Sequence, residues 1–149
     1  MERTLVLLKP DAVQRGLIGP ILARFEAKGL KIVALKMRQF PTKLIQTHYE
    51  AHKERPFYKA LVGFMTSGPA VALVLEGKNA IEVTRKLMGK TNAAEAEPGT
   101  IRGDLALSRS NNLVHGSDSP EAARTELALF FPDRSEERRG GKECRSRWA

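Results

Sequence analysis

The fold is decided by residues 4–40, TLVLLKPDAVQRGLIGPILARFEAKGLKIVALKMRQF, in which the apolar pattern changes twice. The first five residues form a short apolar run that ends at Lys9 and Pro10, as is typical of a buried strand. Between Gly16 and Gly29 the apolar residues recur at helical spacing, and a glycine commonly ends a helix. The last ten residues are rich in strand formers and alternate in part. The segment therefore predicts a strand, a helix and a second strand.

The rest of the chain continues this alternation of helices and strands. We predict two short helices at 42–52 and 58–65, a buried strand at 70–77, a helix at 79–88, a short strand NNLVH at 111–115, and a helix that starts at Pro120. Thr42, Asn79 and Ser119 are the expected helix caps. Residues 91–104 show little periodicity. This order predicts a sheet with helices packed on one face.

Size and composition favour one compact domain, because the chain has 149 residues and 42% of them are hydrophobic. The apolar run AVALVL at 70–75 is far shorter than the roughly 20 residues that a membrane helix needs. The N-terminus lacks the pattern of a secretory leader. Cys144 is the only cysteine, which excludes an internal disulfide and a cysteine metal cluster. We expect a cytoplasmic protein that does not bind membranes.

The net charge of +8 is unevenly distributed, with +3 in residues 134–149 and +5 in the rest of the chain. A positive excess favours anionic ligands such as phosphates. No long run of lysine and arginine occurs before residue 134, so scattered surface charge is favoured over a stripe that binds nucleic acid.

Phosphate binding would have to rely on side chains, because the motifs G-x-x-x-x-G-K-[ST] and G-x-G-x-x-G are absent. Arg85, Thr91 and Arg102 in the less regular part of the chain, with Lys9 at a strand end, are the candidate donors. Each arginine alone is more often a solvated surface charge. Lys9 is the exception, because it interrupts a strand that otherwise reads as buried.

His115 is the candidate nucleophile, since an ordinary imidazole offers a neutral nitrogen near pH 7. A single histidine is also frequently a hydrogen-bonded structural residue, so both interpretations remain open at this point. A hydrolase triad with Ser117 and Asp118 is not expected, because near-adjacent side chains point apart. His48 and His52 have the i, i+4 spacing of metal ligands, but no further ligand pattern completes a site.

Several motifs together resemble the nucleoside diphosphate kinases. They are KPD at 9–11, HYEAHKERPFY at 48–58, RKLMGKTN at 85–92, PGTIRGD at 98–104 and NNLVHGSD at 111–118. The N-x-x-H-G-S-D pattern is highly specific, and the similarity extends over residues 4–131 without a large gap. In this family a triphosphate gives its terminal phosphate to a histidine, which passes it to a different diphosphate.

The resemblance implies a role for each matched residue. His115 is the expected nucleophile, Glu126 accepts a hydrogen bond from its other ring nitrogen, and Ser117 belongs to the same network. Tyr49 is expected to lie close to His115 and to Lys9, which contacts the transferring phosphate. The expected substrate contacts are Lys9, Arg85, Thr91 and Arg102 for the phosphates, Asn112 for the ribose and phosphate end, and Phe57 for the stacked base. Without the resemblance, Phe57 would be assigned to the core.

The same resemblance implies the fold, the cofactor and the assembly. The expected fold is an α/β (α+β) ferredoxin-like sheet of four antiparallel strands with helices packed on one face. Mg²⁺ is expected on the nucleotide phosphates, not in a protein cage. A stacked base without edge contacts predicts acceptance of purines and pyrimidines. A homo-oligomer, tetramer or hexamer, is expected, and no specific nucleic acid.

Departures from the family pattern are few before the C-terminus. Ala93 and Leu105 stand where proline and an aromatic residue are frequent, and neither change removes a catalytic group. We expect the kinase domain to span residues 1–133. Residues 134–149 leave the pattern and resemble a translated sequencing adapter, so we predict a disordered, functionless tail. The competing hypotheses are a non-catalytic nucleotide- or RNA-binding sheet, disfavoured by aliphatic strands, and an inactive relative, disfavoured by the intact motifs.

Overall fold

The computed structural model describes residues 1–132, so the predicted tail at 134–149 lies outside the described residues. The strands are β1 (Glu2–Leu8), β2 (Lys31–Arg38), β3 (Ala70–Gly77) and β4 (Val114–Gly116). The α-helices are α1 (Pro10–Gln14), α2 (Ile18–Lys28), α3 (Thr42–His48), α4 (Tyr58–Met65), α5 (Ala80–Met88), α6 (Ile101–Leu105) and α7 (Pro120–Phe130). Short 3₁₀ helices occupy Glu50–His52 and Ala93–Glu95.

The four strands form one sheet in the order β2-β3-β1-β4, and every neighbouring pair is antiparallel. β1 is therefore a central strand, flanked by β3 and β4. The helices α2 and α5 connect β1 to β2 and β3 to β4, and both pack on the same face. This is the ferredoxin-like arrangement, and it confirms the predicted fold class.

Both faces of β1 are buried, which explains why its sequence is continuously apolar. Val6 and Leu8 point to the face covered by α1, α2 and α5, whereas Leu5 and Leu7 point to the face covered by α3, α4 and α7. The four side chains have no exposed surface, and each contributes about 1.5–3 kcal/mol by burial. The structure thus adds a second helical layer to the one that the sequence predicted.

Most predicted elements are present, with corrections at their ends. Pro41 occupies the N-cap position of α3 and makes no side-chain capping hydrogen bond, so the assignment of Thr42 as its cap was wrong. Asn79 precedes α5 but makes no capping hydrogen bond with its side chain, and the carboxylate of Glu2 accepts one from the N–H of Ile81 instead. Ser119 caps α7 as predicted, accepting from the N–H of Ala122 at 3.1 Å. No helix within residues 1–132 is long and apolar enough to cross a membrane.

Candidate active site

The strand β4 places His115 on the face of the sheet that carries α3 and α7. His115 pairs with Leu7, and its neighbour Val114 pairs with Leu8, the last residue of β1. Lys9 follows directly, and its backbone N–H donates to the carbonyl of Leu113 at 2.8 Å. The histidine is the middle residue of β4, not its end, and its side chain is 24% exposed. The sheet register therefore brings the candidate nucleophile and the candidate phosphate lysine to one end of the sheet.

A carboxylate fixes the imidazole of His115. Its Nε2 atom lies 3.0 Å from Oε1 of Glu126 in α7, and the hydroxyl of Ser117 donates to the same oxygen at 2.7 Å. Burial acts to raise the pKa of Glu126, but the hydrogen bonds from His115 and Ser117 and the nearby imidazoles outweigh it and lower the pKa. An ionised carboxylate only accepts hydrogen bonds, so Nε2 carries the proton and Nδ1 keeps its lone pair. The predicted network of these three residues is present.

Lys9 is a buried ammonium group held by an amide. Its Nζ atom donates to Oδ1 of Asn112 at 2.8 Å, and Nδ2 of Asn112 donates to the carbonyl of Thr91 at 3.0 Å. Burial and the positive charge of Arg102 lower the pKa of Lys9 to about 8, while Asp11 acts in the opposite direction. The arrangement links three of the predicted phosphate and ribose contacts in one chain of hydrogen bonds.

Arg102 is buried and anchored to the backbone around the site. It donates to the carbonyls of Gly89, Asn112 and Val114 at 2.8, 3.3 and 2.7 Å. Burial and the neighbouring charge of Arg85 lower the pKa of Arg102 to about 10. Lys9, Arg102 and Arg85 therefore form a cluster of cations, in which repulsion disfavours the charged forms of Lys9 and Arg102. Such a cluster favours an anionic ligand, since a phosphate would relieve the repulsion.

Arg85 lies on α5 at the edge of this cluster, where it is exposed and donates to the carbonyl of Gly116 at 3.2 Å. Gly116 permits the close contact between β4 and α5, because a Cβ atom there would lie 2.8 Å from Sδ of Met88. Packing against α5 thus explains why the HGSD motif has a glycine at position 116. It holds β4 close enough to α5 for Arg85 to reach the site.

A strained backbone precedes the histidine. Leu113 has φ +71°, in the left-handed region that a side chain of this size rarely adopts. Its N–H donates to Oδ2 of Asp11 at 3.2 Å and its carbonyl accepts from the N–H of Lys9. Burial raises the pKa of Asp11, and the ammonium of Lys9 opposes this. No role was assigned to Asp11 from the sequence. Its position in the KPD motif, next to Lys9, is the sequence feature that could have identified it.

Thr91 and Phe57 are exposed at the rim of the site. The ring of Phe57 precedes α4, is 49% exposed and lies 5.6 Å from the ring of His52. An exposed aromatic ring is suited to stacking, so the core assignment considered for it is wrong. The hydroxyl of Thr91 makes no hydrogen bond within residues 1–132 and is free to donate to a ligand.

Tyr49, which is buried, and His48, which is half-buried, lie beside the nucleophile. The hydroxyl of Tyr49 has no hydrogen-bond partner in the described chain, and burial followed by the charge of Glu126 raises the pKa of this phenol. The ring of His48 lies 4.7 Å from that of His115 in an edge-on contact. Burial and the charge of His115 lower the pKa of His48 to about 3, so it is neutral. His48 faces His115 and Glu126, and no metal-ligand group among the described residues includes His52.

The geometry can hold an anion beside a free imidazole nitrogen. It does not form a hydrolase triad, because the Ser117 hydroxyl donates to Glu126 and the Asp118 side chain is exposed. The tripeptide Arg102-Gly103-Asp104 is likewise not an adhesion loop, since it lies in α6 and Asp104 is paired with Arg24 at 2.8 Å. Phosphoryl transfer relies on positioning and charge neutralisation, and the site offers both.

Comparisons with known proteins agree with this geometry. The sequence model of one family, described as nucleoside diphosphate kinase, matches residues 2–135. A protein of that name from Archaeoglobus fulgidus is 58% identical over 133 residues, covering 89% of this chain and 88% of the relative. One from Thermomicrobium roseum is 57% identical over 131 residues, covering 88% of each. The solved structure of a halophilic nucleoside diphosphate kinase from Halobacterium salinarum in complex with CDP has a TM-score of 0.87 at 50% identity, covering 89% of each chain.

Proposed function

The chain belongs to the nucleoside diphosphate kinase family, and on that basis we propose that His115 is its nucleophile. The resemblance predicted from the sequence motifs is confirmed. The protein is a phosphotransferase that moves the terminal phosphate of a nucleoside triphosphate reversibly to a nucleoside diphosphate, by the ping-pong mechanism general to the family.

One observation carries the assignment, namely that Glu126 holds the proton on Nε2 of His115 and leaves the lone pair on Nδ1. In the first half-reaction, this lone pair attacks the terminal phosphorus while the bond from phosphorus to the bridging oxygen breaks. The diphosphate leaves with that oxygen, and the phosphoryl group stays on Nδ1. Glu126 stabilises the positive charge that develops on the ring. The second half-reaction is the reverse, with an oxygen of a different diphosphate as the attacking atom.

The cationic cluster positions the phosphates. Lys9 is proposed to contact the transferring phosphate, because it is next in sequence to the strand residue that pairs beside His115. Arg102 and Arg85 neutralise charge on the departing diphosphate, and Thr91 supplies a hydroxyl donor. Asn112, which is hydrogen-bonded to Lys9, binds at the ribose and phosphate end. Tyr49 closes the buried side of the imidazole and keeps water from it.

Phe57 is proposed to stack on the base. The exposed ring offers a flat apolar surface without edge donors or acceptors, and stacking of this kind discriminates little among bases. Acceptance of purine and pyrimidine nucleotides follows from that contact.

Mg²⁺ is proposed to arrive as part of the nucleotide substrate. Hard divalent cations prefer several oxygen ligands, and the carboxylates of Glu126 and Asp11 are already engaged, Glu126 by His115 and Ser117, and Asp11 by Leu113. The cations Lys9, Arg85 and Arg102 suit phosphate oxygens and not the metal. The bound ion would bridge phosphate oxygens and neutralise charge.

A homo-oligomer is proposed, either a tetramer or a hexamer. β2 is an edge strand of the sheet, and it carries two exposed apolar side chains, Leu35 at 46% and Met37 at 56%. An exposed apolar edge favours pairing with another chain. Light scattering should give the mass of an oligomer, and Met37→Glu should lower it, whereas a monomeric wild type would contradict this proposal.

The catalytic domain is proposed to span residues 1–133, in the cytoplasm. Removal of residues 135–149 from the pure protein is then expected to leave activity and assembly unchanged. Loss of either on cleavage would contradict the boundary.

Labelling with a γ-phosphate-labelled triphosphate tests the assignment of the nucleophile. The wild type should acquire one acid-labile, base-stable phosphate per chain. His115→Ala should acquire none, while the matched histidine variant His52→Ala should be labelled as the wild type is. Unlabelled folded wild type, or labelled His115→Ala, would overturn the assignment.

A further inference from the structure

His48 is a half-buried residue whose two ring nitrogens have neither a hydrogen-bond partner in the described chain nor contact with solvent. It is the last residue of α3, and its ring packs edge-on against the rings of Tyr49, His115 and Phe130 at centroid distances of 4.4, 4.7 and 5.2 Å. An imidazole has polar atoms on both nitrogens, and burying one without a partner costs about 1–3 kcal/mol. The proposed reaction uses neither nitrogen, so the ring needs another explanation, such as a bound ion.

Two further ligand atoms lie beside this ring. His48, His115 and Glu126 each offer one ligand atom, and these three atoms lie within 4.8 Å of one another. The pair formed by Nε2 of His115 and Oε1 of Glu126 is 3.0 Å apart. Ligands bound to Zn²⁺ in a tetrahedral site are roughly 3.4 Å apart, as follows from bonds of about 2.1 Å. The third atom, a nitrogen of His48, lies within 4.8 Å of both.

The donor set selects the class of metal. Two imidazole nitrogens and one carboxylate oxygen, with a fourth position left open, are a known ligand set for Zn²⁺, and imidazole also suits Cu²⁺ and Ni²⁺. Mg²⁺ prefers oxygen ligands in octahedral geometry and does not compete for this site. The half-buried position of His115 and Glu126 leaves a path from solvent for the ion.

We propose that His48, His115 and Glu126 form a site for a late first-row transition metal ion, with Zn²⁺ as the expected ligand, and that its occupation inhibits the enzyme reversibly. The binding stands on the geometry alone. The inhibition rests on the proposed role of His115 as nucleophile.

The inhibition follows because the two nitrogens of the His115 ring share one proton. A metal bound at Nε2 would replace the proton that Nε2 now donates in its hydrogen bond to Glu126. This proton would move to Nδ1, so that the neutral ring keeps one N–H. Nδ1 then has no lone pair with which to attack phosphorus. Glu126 becomes a ligand of the metal and no longer orients the active tautomer. Release of the ion restores the original tautomer, so the effect is reversible by a chelator.

Calorimetric titration of the full-length protein with Zn²⁺ in excess Mg²⁺ tests the binding, in a Cys144→Ser background that removes the only thiol. One ion per chain is expected. His48→Phe keeps the ring contacts with Tyr49 and Phe130 but has no ligand nitrogen, and it should lower the affinity at least tenfold. Glu126→Gln should also weaken binding, whereas His52→Ala should bind as the wild type does. His48→Ala replaces His48→Phe if the latter does not fold.

Phosphate labelling in the presence and absence of Zn²⁺ tests the inhibition. Labelling of the wild type should fall in proportion to occupancy and return with a chelator, while His48→Phe should be labelled to the same level with and without Zn²⁺. Binding of an adventitious ion, equal in wild type and His48→Phe, would overturn the proposed site, as would no binding. Zn²⁺ binding by a wild type that is never labelled would instead overturn the proposed nucleophile and leave the metal site intact.

Discussion

Oε1 of Glu126 accepts two hydrogen bonds, and the one from His115 at 3.0 Å decides which nitrogen of the imidazole can react. Glu126→Gln removes the negative charge while keeping the size of the side chain. We expect the rate of His115 phosphorylation to fall about 100-fold, because the charge that develops on the ring loses its stabilising partner. Single-turnover labelling measures this rate. Glu121→Gln, an exposed change on the same helix, is the control, and equal rates in both variants would contradict the role of Glu126.

Because of Lys9, stability and activity should change in opposite directions as the pH rises. Its pKa is about 8 in the folded protein and 10.5 in the unfolded chain, so the unfolded chain binds more protons between these values. The contribution of Lys9 to the free energy of unfolding therefore rises with pH across that window. Activity should fall as pH rises through about 8, since the ammonium group that contacts phosphate is lost. The measurements are kcat/KM and urea unfolding as functions of pH.

Two variants separate the effects of Lys9. Lys9→Arg keeps the charge and should lack the alkaline fall in kcat/KM. Lys9→Met lacks the titrating group, so the stability difference between wild type and this variant should increase from pH 8 to pH 10.5. A difference that stays constant with pH would show that the group does not titrate there.

Asp11 should be needed for stability at the turn before the nucleophile. Asp11→Ala removes the acceptor of the buried N–H of Leu113 and should destabilise the protein by about 1–3 kcal/mol in denaturant unfolding. Asp11→Asn retains an acceptor oxygen and should cost less. If both variants are equally destabilised, the charge of Asp11 matters and the hydrogen bond to Leu113 does not.

Phe57 should affect nucleotide binding and leave stability nearly unchanged. Phe57→Ala should raise KM for purine and pyrimidine nucleotides alike by roughly 5- to 150-fold, which corresponds to a loss of about 1–3 kcal/mol of stacking. The ring is half exposed, so the free energy of unfolding should change by less than about 0.5 kcal/mol. Phe57→Trp should restore most of the affinity. An increase in KM confined to one base would contradict simple stacking.

The strands and long helices could be predicted because their patterns are local. β3 and α4 have the predicted bounds, and Ser119 followed by Pro120 marks the start of α7. α1 and α6 were missed. Each has five residues, too few for a periodic pattern, and α6 is started by the hydroxyl of Thr100, which accepts from the N–H of Gly103.

The segment just before His115 shows why local sequence patterns were not sufficient to predict the site. NNLVH was predicted as a strand, but β4 begins only at Val114, because Leu113 takes a positive φ that ends the extended backbone. Its conformation depends on Asp11 and Lys9, about a hundred residues away in sequence. The contact between the rings of His48 and His115 also depends on residues that are distant in sequence. It requires the packing of α3 against β4, which the spacing of histidines within one helix cannot show.

The pairing of His115 with Leu7 limits how this enzyme can be altered. Side chains alternate between the two faces of a sheet, so a shift of β4 by one residue along β1 would turn the imidazole away from α7 and toward α5. The loss of function would be complete although every catalytic residue were retained. Lengthening or grafting is therefore best confined to loops that carry no site residue, while β1 and β4 must be transferred together as one unit.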